Sequence, residues 1–330
     1  MSTKERIIWI DWAKVLLIYF VVVGHAGLTG VAQDVIYSFH MPAFFIISGF
    51  LYHSQRASKT LRCFLIPIVV FSVINLCYGL LTKMVKEEII DWNQYCTMSW
   101  QSYFEVVASS EGYITLFTGV WFIMVLLLCR LLLGDIPKIS FFRKYYKEVA
   151  ALMIAWVVVE PFFLKSPQGM IQDIYVYRIL VCFPFMVVGI YFQTHNEWIN
   201  KVLTFKWTIF IPLCLLFIGM TLRNGCVMVW NNTLGENNIV FFVNACLGSF
   251  ILFRVCSQFK RIQIIEKLSR GTLLILGLHP ICISISCNIC RAIKLYPSPL
   301  FPWITGLVTL AICYYPIVWS QKHCPWLIGK

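Results

Sequence analysis

Charge is what this sequence is shortest of. Asp, Glu, Lys and Arg make up 13% of its 330 residues, against ~25% in a soluble domain. Acidic residues are the scarcer kind, 15 against 27 basic ones. Also absent are a glycine-rich phosphate loop, a zinc-binding helix motif and a serine nucleophile elbow, so none of those chemistries has support in the sequence. Cys287-x-x-Cys290 has metal-ligand spacing, but no second pair or histidine follows at zinc-site distance, so no metal is expected. There is no low-complexity tract. There is no internal repeat either, which weighs against an inverted-repeat transporter. No loop is long enough to fold by itself, so residues 1–330 read as one domain.

In place of charge there is apolar surface. Hydrophobic residues are 59% of the chain and aromatics 16%, with a mean hydropathy of +0.77. No soluble core could bury that much, so a lipid bilayer must be the solvent for most of it. The fold class expected is all-α, a polytopic membrane helical bundle. Most of the 14 cysteines are scattered through the apolar runs, where cysteine behaves as a small hydrophobe.

A helix needs ~20 largely apolar residues to cross the hydrocarbon core. On that basis ten spans are expected, near 7–28, 34–53, 61–82, 113–134, 147–165, 174–193, 206–223, 238–257, 271–291 and 300–320. Asp11 and Lys14 interrupt what would be the apolar core of a signal peptide, so the first segment reads as a retained span. The basic residues test the scheme. Eighteen of the 27 fall on the side of the two termini, six on the other, and Lys14, Arg130 and Arg178 inside spans. The positive-inside rule then puts both termini in the cytoplasm. The same alternation accounts for the net charge of +12 without a nucleic-acid partner. Segment 83–112, rich in Glu and aromatics, reads as an extracytoplasmic amphipathic segment.

Against this background the polar residues inside spans stand out, because each ionisable group costs ~2.5–3.5 kcal/mol at mid-membrane. Lys14 and His25 are eleven residues apart, so at ~100° per residue they lie within ~20° of one stripe. Asp11 neighbours Lys14 on that stripe. The stripe must face protein or a wet cavity; Asp11 and Lys14 could serve as a neutralising pair, and His25 as an interfacial imidazole or as a base. His40 enters the second span from the outer side, at a depth comparable to His25, which suggests one polar pocket open outward. Histidine suits proton transfer near neutral pH, and a base there could activate a sugar hydroxyl for attack on an acyl group. Pro42 is expected to bend the second span, and Ser48-Gly49 to permit close helix packing. Lys59 and Arg62 can hold the phosphates of a cytoplasmic cofactor or act as positive-inside anchors. His279-Pro280 sits in the ninth span, where the histidine either bridges helices or serves the site. Arg178 in the sixth span is read as structural, with Glu160 as its partner.

These residues resemble the acyltransferase-three family of integral membrane acyltransferases, and within it the fucose-4-O-acetylase-like branch. The likeness rests on Asp11-Trp12-x-Lys14 with His25, the Phe39–Phe50 block, and Lys59 and Arg62 ahead of Leu65-Ile66-Pro67. Val120-Trp121-Phe122-Ile123, Phe183-Pro184-Phe185 to Gly189, and Ser269 to His279-Pro280 complete it. The resemblance implies a ten-span bundle that moves an acyl group, usually acetyl from cytoplasmic acetyl-CoA, to a hydroxyl of a surface or lipid-linked glycan. It implies His25 as the catalytic histidine with Lys14 as its basic partner. His40 and Asp11 join them in the site, Lys59 and Arg62 serve acetyl-CoA, and Trp121 and His279 serve the acceptor. Lys59 departs from the family's arginine, which weakens bidentate phosphate contact, and Leu276-Gly277-Leu278 replaces the usual aromatic before His279. The expected setting is a bacterial inner membrane. Oligomeric state is left open, so a homo-oligomer or association with polysaccharide assembly proteins is compatible. Two other classes fit the polar spans: a transporter or flippase of a glycan or acyl donor, with Asp, Lys and His as proton-coupling groups, and a structural partner in an assembly complex.

Overall fold

A computed structural model describes residues 6–85, 119–135, 144–163, 174–294 and 298–329. Among these described residues the chain is a bundle of α-helices with one two-residue β-hairpin. Seven helices among the described residues are long and apolar enough to cross a membrane. They are α1 (Ile8–His25), α4 (Ala57–Val85), α7 (Ile174–Thr194), α9 (Trp207–Asn224), α10 (Asn238–Cys256), α12 (Thr272–Ala292) and α13 (Phe301–His323). The other three expected spans are helical too, but interrupted, shorter or, with Lys147, Glu148 and Glu160, more charged. These are α2 (Val31–Tyr37) with α3 (His40–Phe50), α5 (Val120–Arg130), which runs into a π turn (Leu131–Asp135), and α6 (Tyr146–Phe163). Short helices α8 (Asn196–Thr204) and α11 (Gln263–Arg270) lie between spans. Beyond Val85, the expected amphipathic segment 83–112 lies outside the described residues.

The second span is where the sequence expectation needs correction. It is not one bent helix but two helices, separated at Ser38-Phe39. Proline lacks an N–H and collides with the carbonyl four residues back, yet is tolerated in a first turn. Pro42 therefore starts α3 near its own position instead of kinking a continuous rod. At 1.5 Å per residue, the 11 residues of α3 rise only ~16 Å, half the hydrocarbon thickness.

Helix α1 sits at the centre, packing on α3, α10, α11, α12 and α13. Its buried residues Trp9, Ile10, Ala13, Leu17 and Val22 point in several directions around the axis, as a helix enclosed by others requires. By contrast α9 is peripheral: Ile211, Leu215, Leu216 and Leu222 are exposed, which is how a span meets lipid. The tightest pairing is α3 against α7. Gly49 and Gly189 make it possible, because a Cβ on Gly49 would overlap the carbonyl of Met186, and one on Gly189 the carbonyl of Ile46. Ser48-Gly49 thus divides its work, glycine to packing and serine to the cavity described below.

The two ends of the bundle differ. Arg6 at the start of α1 reaches the Glu266 carbonyl of α11 at 2.8 Å, and the C-terminal turn Pro325–Ile328 packs on α4 and α12. Both termini therefore lie at the same end, the basic face that the positive-inside rule assigns to the cytoplasm. At the other end β1 (Val227–Met228) pairs antiparallel with β2 (Thr233–Leu234) between α9 and α10. Asn224 pins this hairpin: its Nδ2 donates to Leu234 O at 2.8 Å and its Oδ1 accepts from the Asn237 amide at 2.9 Å.

Candidate active site

One cavity of about 660 Å³ runs through the bundle. Thr272, Cys63 and Gly329 line it toward the basic face, and the hairpin residues Val227 to Trp230 close it at the other. Its walls are largely apolar, contributed by Ile18, Val21, Phe44 and Leu126 among others. The polar groups are few and arranged by depth. Lys14 and Arg130 enter at the basic end, Ser48 in the middle, and His25, Tyr37 and His40 toward the hairpin. Lys14 and His25 are separated by eleven residues of one helix, about 16 Å along its axis.

His25 closes α1, and its accessible face opens on this cavity. It forms no side-chain hydrogen bond among the described residues. Its ring packs against His279, which is fully buried, with centroids 4.9 Å apart and planes tilted by 44°. His40 is also buried and lies near enough to interact electrostatically with His25. Helix interruptions fix the tautomers of both neighbours. Pro280 has no N–H, so the Leu276 carbonyl loses its helical partner, and His279 Nδ1 donates to it at 2.6 Å. At the break before α3 the Ile36 carbonyl accepts only a long 3.4 Å bond from the Phe39 amide, and His40 Nδ1 donates to it at 2.8 Å. A carbonyl can only accept, so each neutral ring keeps its proton on Nδ1 and presents Nε2 as an acceptor. The result is one accessible imidazole between two fixed ones. Such a group can take and return a proton.

The other expected site residues are distributed unequally. Lys14, His25, His40 and Trp121 line the cavity. Asp11 does not share the cavity with Lys14. It is buried in a knot at the basic end, accepting from Arg6 Nη2 at 2.7 Å and from Ser269 Oγ at 2.6 Å. The first and last sequence blocks of the resemblance thus meet in one hydrogen bond, from Ser269 to Asp11. His279 lies behind His25 and outside the lining, so it contacts the histidine instead of the contents of the cavity. Lys59 and Arg62 are exposed at the start of α4, next to Cys63 and Phe64 of the lining. They border the cavity without entering it.

Sequence reading missed Arg130 and the hairpin. Arg130 was legible only as a charge inside a span; in the fold it lines the basic end, packs over the Tyr52 ring at 5.0 Å and donates to His53 O at 3.2 Å. Arg178 packs over Trp121 at 5.3 Å and donates to the Trp230 carbonyl, tying two cavity walls together. Nothing in a single sequence relates Trp230 to Trp121.

A family model described as an acyltransferase domain matches residues 7–318, nearly the whole chain. The chain belongs to the acyltransferase-three family. It is a multi-pass membrane acyltransferase, a transferase of groups other than amino-acyl groups. No curated protein and no solved structure matches it. Among the described residues no cluster of His, Cys, Asp or Glu is placed to hold a metal, and the described cysteines are free thiols.

Proposed function

We propose that this acyltransferase moves an acetyl group from cytoplasmic acetyl-CoA to a hydroxyl of a surface or lipid-linked glycan at the outer side of a bacterial inner membrane. The observation that carries this reading is a cavity that has cations at the basic end and His25 with His40 toward the other. A donor held by its phosphates at one face and reacting near the opposite face needs such a passage. Lys14 and Arg130 sit where the phosphate-bearing end of CoA would enter, and Lys59 and Arg62 just outside it, where charge-assisted hydrogen bonds serve anions. The apolar walls beyond suit the uncharged pantetheine arm.

At the far end His25 acts as general base. It takes the proton of the acceptor hydroxyl as the oxygen bonds to the thioester carbonyl carbon. Collapse breaks the carbon–sulfur bond, and His25 returns the proton to the departing thiolate. His40, with Nε2 as acceptor, orients the hydroxyl, and His279 holds the ring of His25. Trp121, braced by Arg178, forms a wall of the acceptor end.

The test uses membranes with labelled acetyl-CoA and the host's own glycan, comparing wild type with His25→Ala. Base-labile ester formed by wild type alone supports both the reaction and the base. Label that crosses the membrane without ester formation would replace this reading with transport, and normal ester formation by His25→Ala would remove the histidine from the mechanism.

A further inference from the structure

Acyl transfer needs a base for the hydroxyl, and it also needs a hydrogen-bond donor. As the tetrahedral intermediate forms, the carbonyl oxygen becomes an oxyanion, and a preorganised donor aimed at it is worth ~10²–10³ in rate. The histidines do not provide one. His40 and His279 have spent their Nδ1 protons on Ile36 and Leu276 and offer acceptors instead. His25 as base directs a lone pair at the reacting atoms, and its other nitrogen lies on the opposite side of the ring. Lys14 is about 16 Å away along α1, and Arg130 and Thr272 lie at that same basic end.

We propose that the Tyr37 hydroxyl is this donor. The inference rests on the acyl-transfer reading above and adds a catalytic residue to it. Tyr37 ends α2, lines the cavity, and packs its ring 5.1 Å from His40. Its phenol fits against the backbone of Gly24, the residue before His25. A Cβ at Gly24 would come 2.6 Å from Tyr37 Cε1 and 2.7 Å from the hydroxyl oxygen. Only glycine lets that hydroxyl lie alongside the end of α1. Tyr37 is also the last residue of α2, so the break before α3 holds its side chain at this end of the cavity. A phenol has one proton to donate, and among the described residues no hydrogen bond of the Tyr37 hydroxyl engages it. The indoles of Trp121 and Trp230 are the other donor-bearing side chains at this end. Trp121 carries Arg178 on its face, and the Trp230 carbonyl holds the same arginine. Both are thereby built into the wall, whereas Tyr37 stands beside the base.

Tyr37→Phe tests this, because it keeps the ring in the Gly24 notch and removes only the oxygen. An oxyanion donor acts on the acyl carbonyl whatever attacks it. Transfer to glycan and slow hydrolysis of acetyl-CoA by water should therefore fall together, by about 10²–10³-fold in kcat, with KM for acetyl-CoA and the thermal midpoint unchanged. Loss of transfer with hydrolysis intact would move Tyr37 to the acceptor side and overturn the proposal, as would full activity in both assays. Should Tyr37→Phe fail to fold, Gly24→Ala decides: its Cβ would meet the phenol and move the hydroxyl by about 1 Å, so both reactions should fall together by roughly 10²-fold, and no loss refutes it. A wild-type enzyme that consumes no acetyl-CoA would overturn the functional reading itself, and this inference with it.

Discussion

Replacing Gly49 by alanine should damage both stability and activity, and the size of the effect follows from the α3–α7 contact. A Cβ on Gly49 would lie 2.8 Å from the Met186 carbonyl carbon and 3.1 Å from its Cα, closer still to the carbonyl oxygen. Carbon atoms are comfortable at ~3.5–4.0 Å, so α3 and α7 must separate by roughly 1 Å. The obstacle is backbone, so no side-chain rotation relieves it. Forced overpacking of this kind costs ~1–3 kcal/mol, and a backbone clash belongs at the upper end. The same movement carries His40 and Ser48, both on α3, away from their places in the cavity wall. A misplacement of ~1 Å at a reacting centre can cost ~10²-fold in rate. Gly189→Ala meets the mirror-image obstacle, 2.9 Å from the Ile46 carbonyl carbon. Because one displacement relieves both clashes, the double variant should lose less than the sum of the singles. Thermal unfolding in detergent and acetyl transfer in membranes measure the two effects. An unchanged melting midpoint with full transfer in Gly49→Ala would refute the packing argument.

Other expectations concern the basic face. Ser269→Ala removes a hydrogen bond to the buried Asp11 carboxylate and should cost ~1.5–3 kcal/mol; a neutral result in thermal melts would mean that Arg6 alone satisfies Asp11. Arg130→Gln should raise KM for acetyl-CoA about tenfold with little change in kcat, the signature of lost uniform binding; an unchanged KM would remove Arg130 from the entry site. Between α10 and α12, the Arg261 hydrogen bond, and secondarily its charge, hold the Glu266 carboxyl below its ordinary value of 4.5. A depressed carboxyl contributes stability above its unfolded pKa and loses it as pH falls through the folded one. Arg261→Gln should therefore lower the midpoint slightly at neutral pH, less at high salt, and not at all once Glu266 is protonated; a difference that persisted in acid would contradict the assignment.

Much of the fold was legible because lipid imposes a simple rule on sequence. Span length, apolar composition and alternating basic loops follow from a fixed bilayer thickness and a fixed sidedness, and no knowledge of helix neighbours is needed. The stripe of Lys14 and His25 was legible too, since helical periodicity within one span is local geometry. The interruption at Ser38-Phe39 was only half legible. Pro42 announces a disturbance, but a proline can kink a helix or begin one, and the surroundings choose.

The site shows the same division. Sequence marked His25, His40, Lys14 and Trp121 as polar or aromatic residues worth explaining. It could not assign Asp11 to Arg6 and Ser269, since that knot joins residues 258 positions apart. Nor could it separate His279, packed behind His25, from residues that meet the cavity. Arg130 was only a charge inside a span until α5 brought it to the cavity, and Tyr37 looked like any aromatic until α2 folded against Gly24. The sequence by itself determined that this chain lives in a membrane as a bundle of apolar helices, and which ionisable groups it takes there, because those depend on the solvent each segment meets. Tertiary structure alone decided which of those groups share a cavity, because that depends on helix rotation and depth, set by close contacts such as Gly49 on Met186.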